Sequence, residues 1–508
     1  MFFAAVLSAV FYLLFTAGLI LFIKVNNGMF FSTAKFAVIS ALTLLVFPAV
    51  YFGTFWIGND FRIFSAVSTA LSVLLLIFVI YKGLIKDIFQ PLALTTEGTI
   101  IMIAGAVLTL VANIICSFSS SFAVVSFASS AGLFCVMLWG LIWAKAQGWQ
   151  KFENLEAEPI FIFENTEGGY STFRLPSLVR LKKDFLNIRD KSFTSDVLMA
   201  CAEGRKNSAR DTGRVDIVCK FSSDNGKTWT PLKVLFTYGE KVGKYGNPTP
   251  VADEKTGLIN FVLMTATKES GFNYDTYCYR GTLTSDYEFH WEDKNNISLP
   301  KLQGKVKSGS DGVRKDTLMV GPSKGVQIKN GEKAGRLIIP ASNDGDSFVL
   351  YSDDNGKHWQ RGEKAGSGNE CEAAELPNGD IVMVIRENTM CTMYHPKQFQ
   401  CLSYSSDGGE SWYESMFKTD LRSPICMTSL DRAGDMLCIS YPDSFTTRRG
   451  LTAAVSFDSG KSWNKKLLYS GAAGYSSVAA NENGDLFVLA EIGKVNYNEA
   501  LVFLHTKF

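Results

Sequence analysis

Residues 221–229 read FSSDNGKTW, and the same spelling returns as YSDDNGKHW from Tyr351, YSSDGGESW from Tyr404 and VSFDSGKSW from Val455. The shared pattern, Ser-x-Asp-x-Gly-x-x-Trp, suits the tip of a β-hairpin. Ser and Asp side chains satisfy turn amides, Gly accepts a positive φ, and Trp buries a broad plane beside the turn. Each copy directly follows a short run that reads as a strand, VDIVCKFS and LTAAVSF among them.

A fifth, degraded copy, TSDYEFHW, keeps Thr284, Asp286 and Trp291 but carries Glu288 in place of the glycine. The five aspartates, 224, 286, 354, 407 and 458, are spaced by 62, 68, 53 and 51 residues. That is about the length of a four-stranded sheet repeated as a unit, and in a strand-rich chain it predicts propeller blades. Five marked blades span 234 residues and leave room for one more within 155–508, so the expected fold is an all-β six-bladed propeller.

Upstream the texture differs. Residues 1–23, 36–57, 63–81, 99–118 and 122–143 are apolar runs with few charges, each close to the roughly 20 residues a helix needs to cross a bilayer. They predict an α-helical transmembrane segment over residues 1–145 with about five spans, and the lipid bilayer as a partner. The short SSS at 119–121 also allows a broken pair and four spans. The start MFFAAVLSAVFYLLF lacks the positive region of a cleaved signal peptide. Lys24, Lys35, Lys82, Lys86, Lys145 and Lys151 fall on one side of the predicted spans and Arg62 alone on the other. That bias points the part after residue 150 toward the cytoplasm. Residues 146–158 read as a linker and 159–508 as the propeller domain.

The 508 residues carry 50 basic and 49 acidic side chains, a balance that gives no support to nucleic-acid binding. Ten cysteines form no C-x-x-C pair, and His290, His358, His395 and His505 lie far apart. Neither a metal centre nor a disulfide framework is expected; buried thiols and surface imidazoles are.

Chemistry on a propeller belongs at its axis, where strand ends and loops from several blades converge. Charges set among apolar strands are therefore the candidates. STFRLPSLV places Arg174 in an apolar stretch; MACAEGRKNSARD puts Arg205 and Asp211 six residues apart in a loop. NECEAAELPNGDIVMVIREN sets Glu370 ahead of a strand and Arg386 at the end of the next, and TTRRGLTAAVSF opens a strand with Arg448 and Arg449. GAAGYSSVAANENGDLFVLAE offers Tyr475 in a small-residue loop and Glu491 at a strand end. Singly, each has a plain reading: the arginines as surface ion pairs, Tyr475 as a packing ring, Glu370 and Asp211 as solvated loop acids.

Taken together, these segments resemble the exo-alpha-sialidase (neuraminidase) family, six-bladed propellers with repeated Asp boxes. FRLP is similar to that family's F/Y-R-I-P motif, and NECEAAEL...VIR and GYSS...LAE to its later catalytic segments; GNPTPVAD and GPSKGVQ follow the family's order. The likeness covers residues 160–508. It implies a hydrolase releasing terminal sialic acids from oligosaccharides, glycoproteins or glycolipids, with no cofactor. Transfer to another sugar, and a silent membrane-tethered sialic-acid-binding propeller, stay open. Arg174, Arg386 and one of Arg448 or Arg449 would grip the sialic acid carboxylate; the family spacing of Arg, two residues, then apolar Leu451 favours Arg448. Tyr475 would be the nucleophile, Glu370 its base, Asp211 the acid/base, Arg205 a contact to the sugar ring, and Glu491 the support of Arg174.

The chemistry behind that assignment stands by itself. Converging guanidiniums repel unless an anion is their guest. A neutral phenol avoids the repulsion that a carboxylate nucleophile would meet from a carboxylated anomeric centre, and its proton needs a base. Retention of configuration is expected, and so is an Asp211 carboxyl of raised pKa in the bound complex.

Overall fold

A computed structural model describes residues 149–508 apart from 208, 210, 212, 240–242, 267–273, 298–317, 344, 387–398, 414–416, 446, 447 and 495. The chain divides between Gly148 and Trp149. The expected membrane segment, residues 1–145, lies outside the described residues; among those described, no helix is long and apolar enough to cross a membrane.

The described part is built on many antiparallel strands, with almost no helix. After β1 (Ile160–Glu164), the strands β2 (Thr172–Leu181), β3 (Val197–Arg205), β4 (Val215–Ser222) and β5 (Lys233–Phe236) pair in succession. A second group follows: β6 (Lys244–Asp253), β7 (Leu258–Ala266), β8 (Tyr274–Leu283) and β9 (Phe289–Asn296). The third contains β10 (Met319–Val320), β11 (Val326–Gln327), β12 (Leu337–Ser342), β13 (Asp346–Ser352), β14 (Gln360–Arg361) and β15 (Gly366–Ser367). The fourth is β16 (Cys371–Glu375), β17 (Ile381–Ile385), β18 (Phe399–Ser405) and β19 (Phe417–Arg422). The remaining strands are β20 (Ser429–Ala433), β21 (Met436–Pro442), β22 (Arg449–Ser456), β23 (Asn464–Ala480), β24 (Asp485–Gly493) and β25 (Ala500–Lys507).

β23 belongs to two groups. Its first part, from Asn464, closes the fifth against β22, and its second part, to Ala480, opens the sixth against β24. β25 then takes β1 as its outer neighbour, so the start of the domain completes the sheet that ends it.

Between successive groups lie apolar layers. One joins the first and second groups through Met199, Ile217, Phe261 and Leu283. Others join second to third through Val262 and Leu350, third to fourth through Val349 and Met383, fourth to fifth through Val384 and Ile439, and fifth to sixth through Val455 and Val488. A last layer, containing Leu198, Val218, Phe487 and Phe503, joins the sixth group back to the first. Strands covered on both faces carry unbroken apolar runs, as in IVMVI of β17, whose five residues are all buried. Each such buried side chain contributes roughly 1.5–3 kcal/mol by area.

The repeated turns sit where the sequence places them, joining β4 to β5, β13 to β14, β18 to β19 and β22 to β23. In the first, Ser222 Oγ donates to Asp224 Oδ1 at 2.8 Å and accepts from Gly226 N, Thr228 N donates to Asp224 Oδ1, and Trp229 Nε1 donates to the Gly226 carbonyl. The same contacts from Ser, Gly and the residue before Trp recur around Asp354, Asp407 and Asp458. Each glycine also lies against the group before it. A Cβ on Gly356 would meet Asn260, one on Gly409 Val349, and one on Gly460 Leu402. On Gly226, at φ +85°, it would lie 2.2 Å from the ring of Phe503 in β25. The first turn thus packs on the last sheet.

The degraded copy departs from this scheme. Thr284 Oγ1 still donates to Asp286, and Tyr287 at φ +62° keeps the left-handed conformation of Asn225, Asn355 and Ser459, but Trp291 lies inside β9, stacked on Phe289 at 4.8 Å. Without the glycine the hairpin is tighter, with Leu283 paired to Phe289 where Phe221 bonds Thr230, and the indole packs on a strand neighbour instead of the turn.

Part of the expected linker is docked. Trp149, Phe152 and Leu155 pack on the layer between the fifth and sixth groups, and the Phe152 ring lies 4.6 Å from Tyr469. Its aromatic residues find apolar cover there. The seven described cysteines are buried.

Candidate active site

Three groups supply the centre of the site. Tyr475 stands in β23 and not, as its small neighbours suggested, in a loop. The strand crosses from one sheet to the next there, and its register with β24 is interrupted between Ala473 and Ser476. The small residues serve close approach: a Cβ on Gly474 would lie 2.4 Å from Glu491 Oε2 and 2.5 Å from the ring of Tyr497. Glu370 precedes β16, and Arg386 follows the paired strand β17, with the Arg386 amide donating to the Glu370 carbonyl.

These three side chains meet. The Tyr475 hydroxyl donates to the Glu370 carboxylate, with 2.6 Å to each oxygen, and Arg386 Nη1 donates to Tyr475 Oη at 2.8 Å. Arg386 also forms an ion pair with Glu370. Tyr475 is 5 % exposed. Burial pushes its phenol well above the ordinary value and the Glu370 charge adds to this, while Arg386 and Arg448 pull the other way. The phenol is therefore protonated at neutral pH.

Glu491, on β24 and fully buried, joins the next elements. Its Oε1 accepts from Arg174 Nε at 2.6 Å and from Leu175 N at 3.0 Å; its Oε2 accepts from Tyr475 N at 3.1 Å. One carboxylate so fixes Arg174 on β2 against the backbone of Tyr475 on β23. Leu175 takes φ +53° beside it, turning the chain so that its amide reaches the same oxygen. Burial disfavours the Arg174 charge, and Glu491 overcomes that and raises its pKa.

Arg448 completes the ring of cations. Its guanidinium carbon lies 5.2 Å from the Tyr475 ring centroid, and that of Arg174 lies 5.4 Å from it. Arg449 turns away and donates to the Ser470 carbonyl. Around one tyrosine, three guanidiniums face two carboxylates, leaving one positive charge uncompensated. Leu175, Cys426 and Met427 form the apolar surface against Tyr475.

Arg205 and Asp211 form a separate pair. Arg205 ends β3 and does not lie in the loop. It is 1 % exposed, donates to Glu203 through Nε and Nη2, to the Ala209 carbonyl through Nη1, and pairs with Asp211 at 3.0 Å. Asp211 is 80 % exposed. Desolvation raises its carboxyl, but the charges of Arg205, Arg174 and Lys244 outweigh this and leave its pKa below the ordinary value.

Two residues escaped the sequence reading. Tyr497, between β24 and β25, has Arg174 and Arg448 at 5.3 and 5.2 Å from its ring centroid, and its hydroxyl accepts from Arg448 at 3.3 Å. Nothing in KVNYNEA announces it, because Arg174 and Arg448 reach this loop from other parts of the chain. Glu203, the partner of Arg205, was signalled: two residues apart on a strand, they share a face. Among the described residues, no group of three His, Cys, Asp or Glu side chains is placed to hold a metal ion.

Residues 196–488 match the family described as BNR repeat-like domain. The chain is 25 % identical over 366 residues to a sialidase of Micromonospora viridifaciens, covering 65 % of this chain and 51 % of that protein. It is 26 % identical over 298 residues to sialidase-3 of Mus musculus, covering 52 % and 62 %. The chain thus spans about half the length of the first curated relatives it matches. Among solved structures, a Hadza microbial sialidase superimposes with TM-score 0.55 at 22 % identity, covering 69 % of this chain and 68 % of that one. A leech intramolecular trans-sialidase gives TM-score 0.55 at 15 % identity, covering 69 % and 70 %. The described part has a sialidase-like all-β fold.

Proposed function

The chain belongs to the BNR repeat-like domain family, and on that premise we propose that it is an exo-alpha-sialidase, hydrolysing terminal sialic acids of glycoconjugates with retention of configuration. The observation that carries the reading is the contact of Tyr475 Oη with both Glu370 oxygens, surrounded by Arg174, Arg386 and Arg448.

In this mechanism the uncompensated positive charge receives the sugar carboxylate, and guanidinium forks bind it with directed hydrogen bonds. Tyr475 Oη attacks the anomeric carbon while its proton passes to Glu370, and the bond to the leaving oxygen breaks as Asp211 protonates it. Asp211 then takes a proton from water, which attacks the anomeric carbon; the bond to Tyr475 breaks and Glu370 returns the phenolic proton. Two displacements at one carbon give retention. Glu491 holds Arg174, and Arg205 holds Asp211. With its donors occupied by Glu203, Ala209 and Asp211, Arg205 reaches a sugar only at the edge its partners leave.

The domain reads as a six-bladed propeller closed on itself. The strands form four hydrogen-bonded sheets, and the reading divides them into six groups at the single Val215–Lys244 pair of β4 and β6 and within β23. It is supported by the apolar layer between each pair of neighbouring groups, including last and first, and by the packing of Gly226 on Phe503. Residues 1–145 read as a membrane segment that makes the protein integral to the bilayer, on the strength of their five apolar runs.

Full-length protein incubated with a fluorogenic sialoside should release the fluorophore, and NMR of the first-formed sugar should show the α-anomer. Normal sialic acid binding without release would identify a lectin instead.

A further inference from the structure

Arg174, Glu370 and Tyr475 belong to three segments, on β2, ahead of β16 and on β23, that share no backbone pairing. Their separations must be set by side chains. A buried polar layer lies one short step further along each strand: Ser177 three residues after Arg174, Glu372 two after Glu370, and Ser477 two after Tyr475.

Ser323, in the stretch GPSKGVQ, touches all three. Its Oγ donates to Glu372 Oε1 at 3.1 Å and lies 2.7 Å from Ser477 Oγ, and its carbonyl accepts from Ser177 Oγ. Lys324 Nζ donates to Glu372 Oε1 at 3.0 Å and to the Val478 carbonyl at 2.5 Å, and Leu178 N donates to Ser477 Oγ at 2.9 Å. Ser177, Ser323, Glu372 and Ser477 are fully buried, and Lys324 is 8 % exposed. Ser323 is held at φ +117°, a conformation that a residue with a side chain keeps only where its surroundings impose it.

We propose that Lys324, Glu372, Ser323 and Ser477 form a positioning layer that fixes Tyr475 against Glu370; this rests on the sialidase reading of the site. A buried Lys–Glu pair is a poor way to gain stability, since an apolar pair of similar volume serves as well or better. Glu372 Oε2 is buried without a hydrogen-bond partner, but the bonds through Glu372 Oε1, Ser323 and Ser477 tie the strands in one arrangement, and in a low dielectric such bonds are strong. Transfer of the phenolic proton requires hydrogen-bond reach between Tyr475 and Glu370, and a displacement of about 1 Å can lower a rate by roughly 10²-fold. Glu372 and Ser477 touch neither the reacting pair nor the arginines, so they act through the strands.

The test uses the full-length chain and the variants Glu372→Gln, Ser477→Ala and Ser477→Thr. Three quantities are measured: kcat and KM on a fluorogenic sialoside, Kd for sialic acid, and the rate at which 2,3-difluorosialic acid labels Tyr475, read by mass spectrometry. Glu372→Gln and Ser477→Ala should each lower kcat and the labelling rate by roughly 10- to 100-fold. Kd should stay within about threefold of the parent, because the arginines are untouched. Ser477→Thr, which keeps the hydroxyl, should recover most of the loss. Parent-like kcat and labelling in Ser477→Ala would overturn the proposal, as would equal losses of kcat, binding and thermal midpoint in it. That variant decides the matter if Glu372→Gln fails to fold. A parent chain that neither cleaves nor labels overturns the sialidase reading itself, and differs visibly from an active parent with unaffected variants.

Discussion

The hydroxyl of Tyr475 lies 2.6 Å from both carboxylate oxygens of Glu370, although 105 residues separate them in the chain. A phenol whose pKa burial has raised is a poor nucleophile unless a base takes its proton as it reacts. Tyr475→Phe should therefore lower kcat by on the order of a thousandfold or more while sialic acid still binds. Turnover on a fluorogenic sialoside and calorimetric titration with sialic acid give the two numbers. Near-parent turnover would remove Tyr475 from the nucleophile's role, and joint loss of binding and folding would make it a packing residue.

Arg448 and Arg449 are adjacent in sequence and divergent in space. Arg448 faces the rings of Tyr475 and Tyr497, whereas Arg449 donates to the Ser470 carbonyl. Lysine keeps the charge but cannot form the planar fork. Losing a charge-assisted bond of about 1.5–3 kcal/mol, Arg448→Lys should raise KM by roughly 10- to 100-fold. Arg449→Lys should leave KM nearly unchanged. Steady-state kinetics of the two variants side by side decide which arginine serves the substrate, and the reverse pattern would exchange their roles.

Asp211 ties the electrostatics of the site to the reaction. Desolvation raises its carboxyl, but Arg205, Arg174 and Lys244 hold it below the ordinary value. A substrate carboxylate on Arg174 cancels part of that positive field and covers the exposed side chain, so its pKa should rise on binding. In its proposed role of general acid, Asp211 must be protonated. The profile of kcat/KM, which reports the free enzyme, should fall at lower pH than that of kcat, which reports the complex. Equal alkaline limbs, or their persistence in Asp211→Asn, would assign the proton to another group.

Much of this architecture is written locally. Ser, Asp, Gly and Trp at fixed offsets specify a hairpin by their own hydrogen bonds, so the four turns and their strands are legible from short stretches. The glycine in the pattern does more than bend the chain: Gly226 admits the ring of Phe503, a neighbour 277 residues away that no local rule names. Site residues were legible where a charge interrupts an apolar strand, as Arg174 and Glu491 do. Tyr497 and the layer of Ser323 and Glu372 were not, since their meaning comes from which strands are brought together. GAAGYSS read as a loop because small residues weaken strand signals; here they let Glu491 and Tyr497 approach the backbone.

The repeated turns also predict how the fold responds to acid. Hydrogen bonds from the Ser462 side chain and amide, then from Ser456, lower the Asp458 carboxyl to about 2. For Asp224, Asp354 and Asp407, desolvation raises the pKa, but hydrogen bonds from the turn outweigh it and the net shift is downward. A carboxylate whose pKa is lower folded than unfolded binds protons more readily in the unfolded chain. Its stabilisation is complete above the ordinary value near 3.8 and is lost as pH falls from there toward about 2. Thermal midpoints should thus hold level from neutral pH to about 5 and drop steeply below about 4. Asp458→Asn should lower the midpoint at pH 7 and flatten the acid decline, because the amide can accept from Ser462 but carries no charge to neutralise. An unchanged acid slope in that variant would show that the turn's carboxylate contributes through shape alone.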